Sequence, residues 1–352
     1  MCVRLDSMGD VLMTTPAIRA VRAGAPGCRV TLLTSPAGAG AAHLVPEIDD
    51  VIIYEAPWMK ATGPRSDPSP DHLAVKELAA RAFDAAIVFT VYSQSPLPAA
   101  LMCHLADIPL RLAHCRENPY ALLTDWVREP EPEDVLRHEV QRQLDLVATI
   151  GCMCSDPTMS ISVPDEASTA VAALLAEHGF DPEGLWAVVH PGATAPSRRY
   201  PPEAFAVAAR RLTELGWRLI FTGGPQELED VERARLGVPS VSLAGRLSLA
   251  ELAALLERSP LLIANNSGPV HVACAVGTPV VDLYALTNPQ HMPWGVAHRV
   301  LFSDVPCRWC YSSICREGHH DCLRRVEPED VVEAAVELVE GASRAPRSLT
   351  SP

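Results

Sequence analysis

Asp10 is the first residue of this 352-residue chain whose type and position suit proton transfer. It closes the run Arg4-Leu-Asp-Ser-Met-Gly-Asp10, where a short aliphatic strand ends, Gly9 permits a tight turn and a helical pattern begins. The positive end of a helix macrodipole keeps such a carboxylate ionised. An ionised carboxylate at the carboxyl end of a strand can serve as a general base, and the same position also suits an ordinary acidic helix cap. Two later runs suit a phosphate. Asn265-Asn-Ser-Gly-Pro-Val-His271 follows a strand directly, with Ser267 placed as N-cap and Pro269 in the first turn, so free backbone N–H groups face an incoming anion. Gly268 lets a ligand approach the backbone without a Cβ in the way. His271 either donates to the same anion or is a satisfied buried histidine. His190-Pro-Gly-Ala-Thr-Ala-Pro-Ser-Arg-Arg-Tyr-Pro201 is a loop after another strand, offering the Thr194 hydroxyl and the forked donors of Arg198 and Arg199. The turn Gly223-Gly-Pro-Gln-Glu227 lies at a third strand's carboxyl end and suits a nucleoside.

Cysteines form the other constellation. Of eleven, four cluster as Cys307-x2-Cys310-x4-Cys315-x6-Cys322, with His319 and His320 between them. Four soft ligands within sixteen residues suit a closed, structural zinc or iron–sulfur site; they read equally well as reduced structural thiols. An odd total fits poorly with a disulfide framework. Several chemistries lose support. Gly38-Ala-Gly40 follows a strand, but His43 stands where a dinucleotide fingerprint wants its third small residue, and no Walker A sequence occurs. There is no GxSxG elbow and no HExxH.

The elements that must position these residues follow from patterning. At 48% hydrophobic and 20% charged, the chain can build an apolar interior, and its length suits two domains of roughly 150–175 residues. Aliphatic runs alternate with helical patterns, the signature of parallel sheets flanked by helices. In the first half, strands are expected at 1–5, 29–34, 51–54 and 85–90, with 57–71 as a loop and a helix over 138–150. After a break at 151–164 the pattern restarts: strands at 185–190, 218–222, 261–264 and 280–284, and helices at 202–215, 226–235, 249–258, 269–276 and 327–340. The first strand is short for a central position, so the natural start is expected upstream. The fold class is therefore α/β, two Rossmann-like doubly wound halves with ligands beyond the carboxyl ends of the strands, in a central cleft.

The net charge of −14, from 29 Lys and Arg against 43 Asp and Glu, argues against nucleic acid as a partner. No uninterrupted 18-residue apolar stretch and no signal peptide is found, so the expectation is a cytoplasmic chain without an integral membrane segment, peripheral membrane contact staying open.

Together these motifs resemble the heptosyltransferase family of glycosyltransferases, family 9, whose members have the two-domain GT-B fold. The resemblance rests on Arg4–Asp10 with Thr14-Thr-Pro-Ala17, His190-Pro-Gly-Ala-Thr194, Asn266-Ser-Gly-Pro-Val-His271, Leu286–Trp294 and the Cys307–Cys322 segment, in that order along nearly the whole chain. It implies inverting transfer of a heptose from ADP-L-glycero-D-manno-heptose to an acceptor hydroxyl, with no divalent cofactor required. By position, Asp10 would be the base, Arg198 would neutralise the diphosphate, Thr194, Ser267 and Gly268 would hold its oxygens, and Gln226 or Glu227 would lie near the adenosine. Asn266 stands where many members have Asp, Arg198 where Lys is commoner, and Tyr200 where Trp is usual. On this reading residues 1–157 bind the acceptor, 158–326 bind the nucleotide sugar, 327–341 form a helix packing back across the cleft, and 342–352 form a disordered tail.

The acceptor is either a lipopolysaccharide core glycan or a small-molecule glycoside. A phosphorylated core would call for basic groups such as Lys60, Arg65, Arg111, Arg116 and Arg137. Two rival readings are a two-domain nucleotide-sugar epimerase, and a non-catalytic, metal-stabilised binding protein.

Overall fold

The computed structural model describes residues 1–60 and 62–344. The chain divides into two units, the first ending at Ser162 and the second starting at Val163, against an expected break after 157. In the first unit the strands are β1 (Cys2–Arg4), β2 (Thr31–Thr34), β3 (Asp50–Ile53), β4 (Ala85–Val88), β5 (Leu110–Cys115) and β6 (Asp125–Arg128). All pair in parallel, in the order β3-β2-β1-β4-β5-β6. Three-residue β1 sits at the centre between β2 and β4, with all of its side chains buried. Strands covered on both faces read as unbroken aliphatic runs rather than alternating ones, which is why the short run was legible. The chain changes direction in the sheet between β1 and β4, and the crevice beyond such a switch point is where doubly wound sheets bind ligands.

The helices of this unit are α1 (Met8–Gly24), α2 (Pro36–Ala42), α3 (Ser69–Ala80), α4 (Leu97–Leu105) and α5 (Glu139–Ala148). Sequence patterning missed α2, α3, α4, β5 and β6, and gave the first residues of α3 to a loop. The Gly38-Ala-Gly40 segment proves to be α2 itself. A Cβ on Gly38 would collide with Thr34 Oγ1 and come within 3.0 Å of Val11, so this glycine permits close helix packing rather than cofactor binding.

The second unit repeats the same plan. Its strands β7 (Trp186–His190), β8 (Arg218–Phe221), β9 (Ser240–Ser242), β10 (Leu262–Asn265), β11 (Val280–Leu283) and β12 (His298–Leu301) are ordered β12-β11-β10-β7-β8-β9. Its switch point lies between β7 and β10. The helices are α6 (Asp165–Glu177), α7 (Pro202–Glu214), α8 (Leu228–Ala234), α9 (Leu249–Arg258), α10 (Gly268–Val276), α11 (Asp321–Arg324) and α12 (Pro328–Arg344). β11 was expected to be the last strand, yet β12 follows it at the edge; its exposed His298 and Arg299 hide the run from a hydropathy reading.

The terminal helix was expected to return across the cleft. Its apolar stripe, Val331, Ala334, Ala335 and Leu338, recurs at helical spacing and is buried in the core of the second unit, and the helix packs on α7, β11 and β12. Burying a leucine or valine of this kind contributes ~1.5–3 kcal/mol. The helix extends to Arg344, past the expected start of a tail at 342, and residues 345–352 lie outside the described ones. Among the described residues, no helix is long and apolar enough to cross a membrane.

Candidate active site

In the first unit the chemistry gathers around Arg4, whose guanidinium is fully buried at the end of β1. It bridges three carboxylates, Asp6 at 3.0 Å, Asp10 at 3.1 Å and Glu139 at 2.7 Å. A buried cation needs such partners. Asp10 is the third residue of α1 and forms a capping box with Ser7: its Oδ2 accepts from the Ser7 amide at 3.1 Å and hydroxyl at 2.7 Å, while Oδ1 faces Arg4. The carboxylate is thus oriented on both edges at the carboxyl end of the central strand. Asp6, which sequence reasoning passed over, is pushed up to about 6: burial raises it, Arg4 opposes the rise and Asp10 adds to it. Its Oδ1 accepts from Gln94 Nε2 at 2.6 Å.

The cations expected to meet an acceptor are otherwise engaged. Arg65 donates to the Glu55 carbonyl and Asp71, and Arg116 to the Glu131 carbonyl, with Glu133 at 3.9 Å. Arg111 is buried and donates to the carbonyls of Ile108, Ala121 and Leu122. Arg137 pairs with Glu131 and Asp145. Lys60 is exposed.

In the second unit the loop after β7 is drawn onto the end of β10 by Asn265, which no sequence signal marked as structural. Its Nδ2 donates to the Pro191 carbonyl at 2.6 Å and its Oδ1 accepts from the Tyr200 amide at 2.9 Å, so one buried side chain clamps both ends of the loop. The two arginines within that loop separate. Arg199 is tied to the Ala193 carbonyl at 2.8 Å and Asp230 at 3.2 Å. The Arg198 side chain has no hydrogen bond or ion pair among the described residues, is half-buried, and its charge reaches Asp282. Thr194 is exposed on the same loop.

Ser267 occupies the N-cap of α10 in extended backbone, as expected, but its hydroxyl donates to the Asn265 carbonyl at 3.0 Å instead of accepting from the first turn. The turn therefore lacks a side-chain cap, which leaves amide hydrogen for a ligand. His271 is buried one turn in, its ring edge-on to His291 with centroids 6.4 Å apart. Asn266 is buried, and both hydrogens of its Nδ2 are committed, to Asp282 Oδ2 at 3.1 Å and to the His291 carbonyl at 3.0 Å. Two acceptors fix the amide's orientation, so Oδ1 is left to present only an acceptor. Asp282 was invisible within an aliphatic strand; burial pushes its carboxyl up to about 8.

Glu227 Oε2 accepts from the Gly224 amide at 2.7 Å and lies 3.4 Å from His190 Nε2, whose other ring nitrogen is 3.0 Å from Thr222 Oγ1. The His190 contact, with help from the Gly224 amide, holds the Glu227 carboxyl below its ordinary value. Gly192 makes room for this carboxylate: a Cβ there would collide with it. Gln226 is exposed beside it. The four clustered cysteines had two readings, a metal site or reduced thiols. Cys307, Cys310, Cys315 and Cys322 are free thiols, and Cys307 Sγ lies 3.8 Å from His319 Nε2. Among the described residues no three His, Cys, Asp or Glu side chains group as metal ligands.

Residues 72–320 match the sequence pattern described as Glycosyltransferase family 9 (heptosyltransferase). The lipopolysaccharide core heptosyltransferase OpsX of Haemophilus influenzae is 24% identical over 295 residues, covering 82% of this chain and 80% of its own. Lipopolysaccharide heptosyltransferase 1 of Pseudomonas aeruginosa is 30% identical over 137 residues, 38% of this chain and 39% of that one. Two solved structures share the fold: a family 9 glycosyl transferase from Veillonella parvula (TM-score 0.81, 24% identity, 97% of this chain and 96% of that one) and the ADP-heptose lps heptosyltransferase II of E. coli (TM-score 0.73, 22% identity, 97% and 99%). The pair of six-stranded parallel sheets is that of the GT-B fold.

Proposed function

Because the chain belongs to glycosyltransferase family 9, the heptosyltransferases, we propose that it moves a heptose from ADP-L-glycero-D-manno-heptose to a hydroxyl of a glycan acceptor, inverting the anomeric carbon. The observation that carries this reading is Arg198. It is a cation without a counter-ion among the described residues, on a loop clamped beside the uncapped start of α10 at the switch point of the second sheet. A group so placed suits a diphosphate. Asp10 takes the acceptor's proton, the freed oxygen bonds to the anomeric carbon, and the bond from that carbon to the diphosphate oxygen breaks. The electron pair leaves on ADP, where Arg198, the Thr194 hydroxyl and the Gly268 amide offset the new charge. Asn266 Oδ1 accepts from a donor-sugar hydroxyl, and Glu227 with Gln226 contacts the nucleoside. The acceptor is taken as a glycan because relatives are named for lipopolysaccharide.

The test is direct. Incubation of the protein with ADP-heptose and a panel of glycan acceptors should yield an acceptor heavier by one heptose, read by mass spectrometry; release of free heptose or of an epimerised donor alone would contradict transfer. Since an arginine and backbone dipoles meet the leaving group, adding EDTA is expected to leave the initial rate unchanged, and stimulation by a divalent cation would refute metal independence. Gly192→Ala is expected to displace the Glu227 carboxylate without unfolding the protein, since the carboxylate is the far end of a flexible side chain. Calorimetry should show ADP affinity falling about tenfold, the loss of one good polar contact. Unchanged affinity would remove Glu227 from the nucleoside site.

A further inference from the structure

A cavity of about 290 Å³ opens at the switch point of the first sheet, between the ends of β1 and β4. Asp6, Phe89, Trp58 and the segment Ser93-Gln94-Ser95 give it its character. A smaller depression of about 150 Å³ shares Ser93–Ser95 and adds His114, Arg116, Glu117 and Glu129. Together they are just large enough for one small ligand. No cation lines the larger cavity, and Asp6 lies at its edge. In the smaller one the single guanidinium, Arg116, is turned onto the Glu131 carbonyl and faces the Glu117 carboxylate beside it. Glu129 is already neutralised by Arg142, so the unbalanced charge is that of the carboxylates gathered on Arg4. Buried His114 adds no charge, since burial and the nearby Arg142 push its pKa down to about 4. A phosphate entering here would meet an excess of negative charge.

The other lining groups have the chemistry of carbohydrate recognition. Trp58 is half-buried, braced at 5.9 Å by the Tyr54 ring, and offers a flat apolar face to the C–H side of a sugar ring. Gln94 spends an Nε2 hydrogen on Asp6, which leaves its carbonyl oxygen to accept from a hydroxyl. The Ser93 hydroxyl makes no hydrogen bond among the described residues. We propose that this cavity is a subsite for an uncharged sugar ring, stacked on Trp58 and hydrogen-bonded by Gln94 and Asp6, and that it selects against phosphorylated rings. Its role as the acceptor subsite rests on the transferase reading; sugar binding does not.

Saturation-transfer NMR on the full chain, with methyl α-mannoside and its 6-phosphate as probes, tests this. The uncharged probe should bind, Trp58→Ala should weaken it about tenfold and Trp58→Phe should restore most of the loss. The phosphorylated probe should bind at least about tenfold more weakly at low salt, the gap narrowing as salt screens the repulsion. Equal or tighter binding of the phosphate, no binding of either probe, or an unaltered Trp58→Ala would overturn the subsite. Probe binding without transfer from ADP-heptose would leave the subsite standing and sink the transferase reading. Efficient transfer to phosphorylated sugars would do the reverse.

Discussion

Asp10→Asn is expected to lower kcat by at least about a thousandfold while ADP affinity stays within about threefold, a split that loss of a general base produces and a binding defect does not. The substitution is nearly isosteric. An asparagine oxygen can still accept from the Ser7 amide and hydroxyl, which hold Oδ2 at 3.1 and 2.7 Å, so the start of α1 should survive. Arg4 loses one carboxylate but keeps Asp6 and Glu139, so thermal unfolding should shift down while the protein stays folded. What it cannot do is take a proton. Asp6 is the natural competitor, because it shares Arg4 and is pushed up to about 6, nearer to working pH. Asp6→Asn separates the two. If Asp6 holds an acceptor hydroxyl, its loss raises the acceptor KM and largely spares kcat. Collapse of kcat in Asp6→Asn, with normal turnover in Asp10→Asn, would transfer the base role to Asp6.

The second large effect is expected at Asn266. Asn266→Asp would set two carboxyl groups about 3.1 Å apart, one on fully buried Asp282. An uncompensated buried charge typically costs about 3–5 kcal/mol, readable as a lowered midpoint in urea. Asp282→Asn in the same chain should recover most of that loss, because the amide and the carboxylate have merely exchanged places; an unrescued double variant would show that the pair is not the cause. The pH dependence has a definite sign. Burial raises Asp282 from 3.8 to about 8, so across that window the folded state holds a proton that the unfolded state releases. This contribution to stability is complete below pH 4 and is lost as pH rises through 8. Denaturation measured from pH 5 to 9 should show the decline in wild type and a flatter curve in Asp282→Asn. Equal slopes would mean that Asp282 titrates normally.

Both predictions depend on pairings of different legibility. Asp10 was readable because a strand end, a glycine turn and a helix start are local features, carried by seven consecutive residues. The same holds for Ser267 and Pro269 at the head of α10. Arg198 and Arg199, by contrast, are indistinguishable in the sequence. Only the fold shows that Asp230 and the Ala193 carbonyl occupy Arg199 and leave Arg198 uncommitted. The partners of Arg65, Arg111, Arg116 and Arg137 are equally hidden in the sequence, since they are acidic residues and carbonyls that folding brings beside them. The cysteines were grouped by spacing, and in the fold the charges of Cys307, Cys310 and Cys315 all reach Cys322.

By itself, then, the sequence determined what short-range stereochemistry and hydropathy can encode: two runs of alternating strands and helices, their order, and the reactive residue types at strand ends. The tertiary structure decided which of those residues are in use. Arg4 meets Glu139 across 135 positions, and Asn265 reaches back 74 to hold the Pro191 loop. Asp282 acquires its raised pKa only when a strand is buried around it. Such pairings arise from burial and from the demand that every polar group removed from water find a partner, and no local pattern records them.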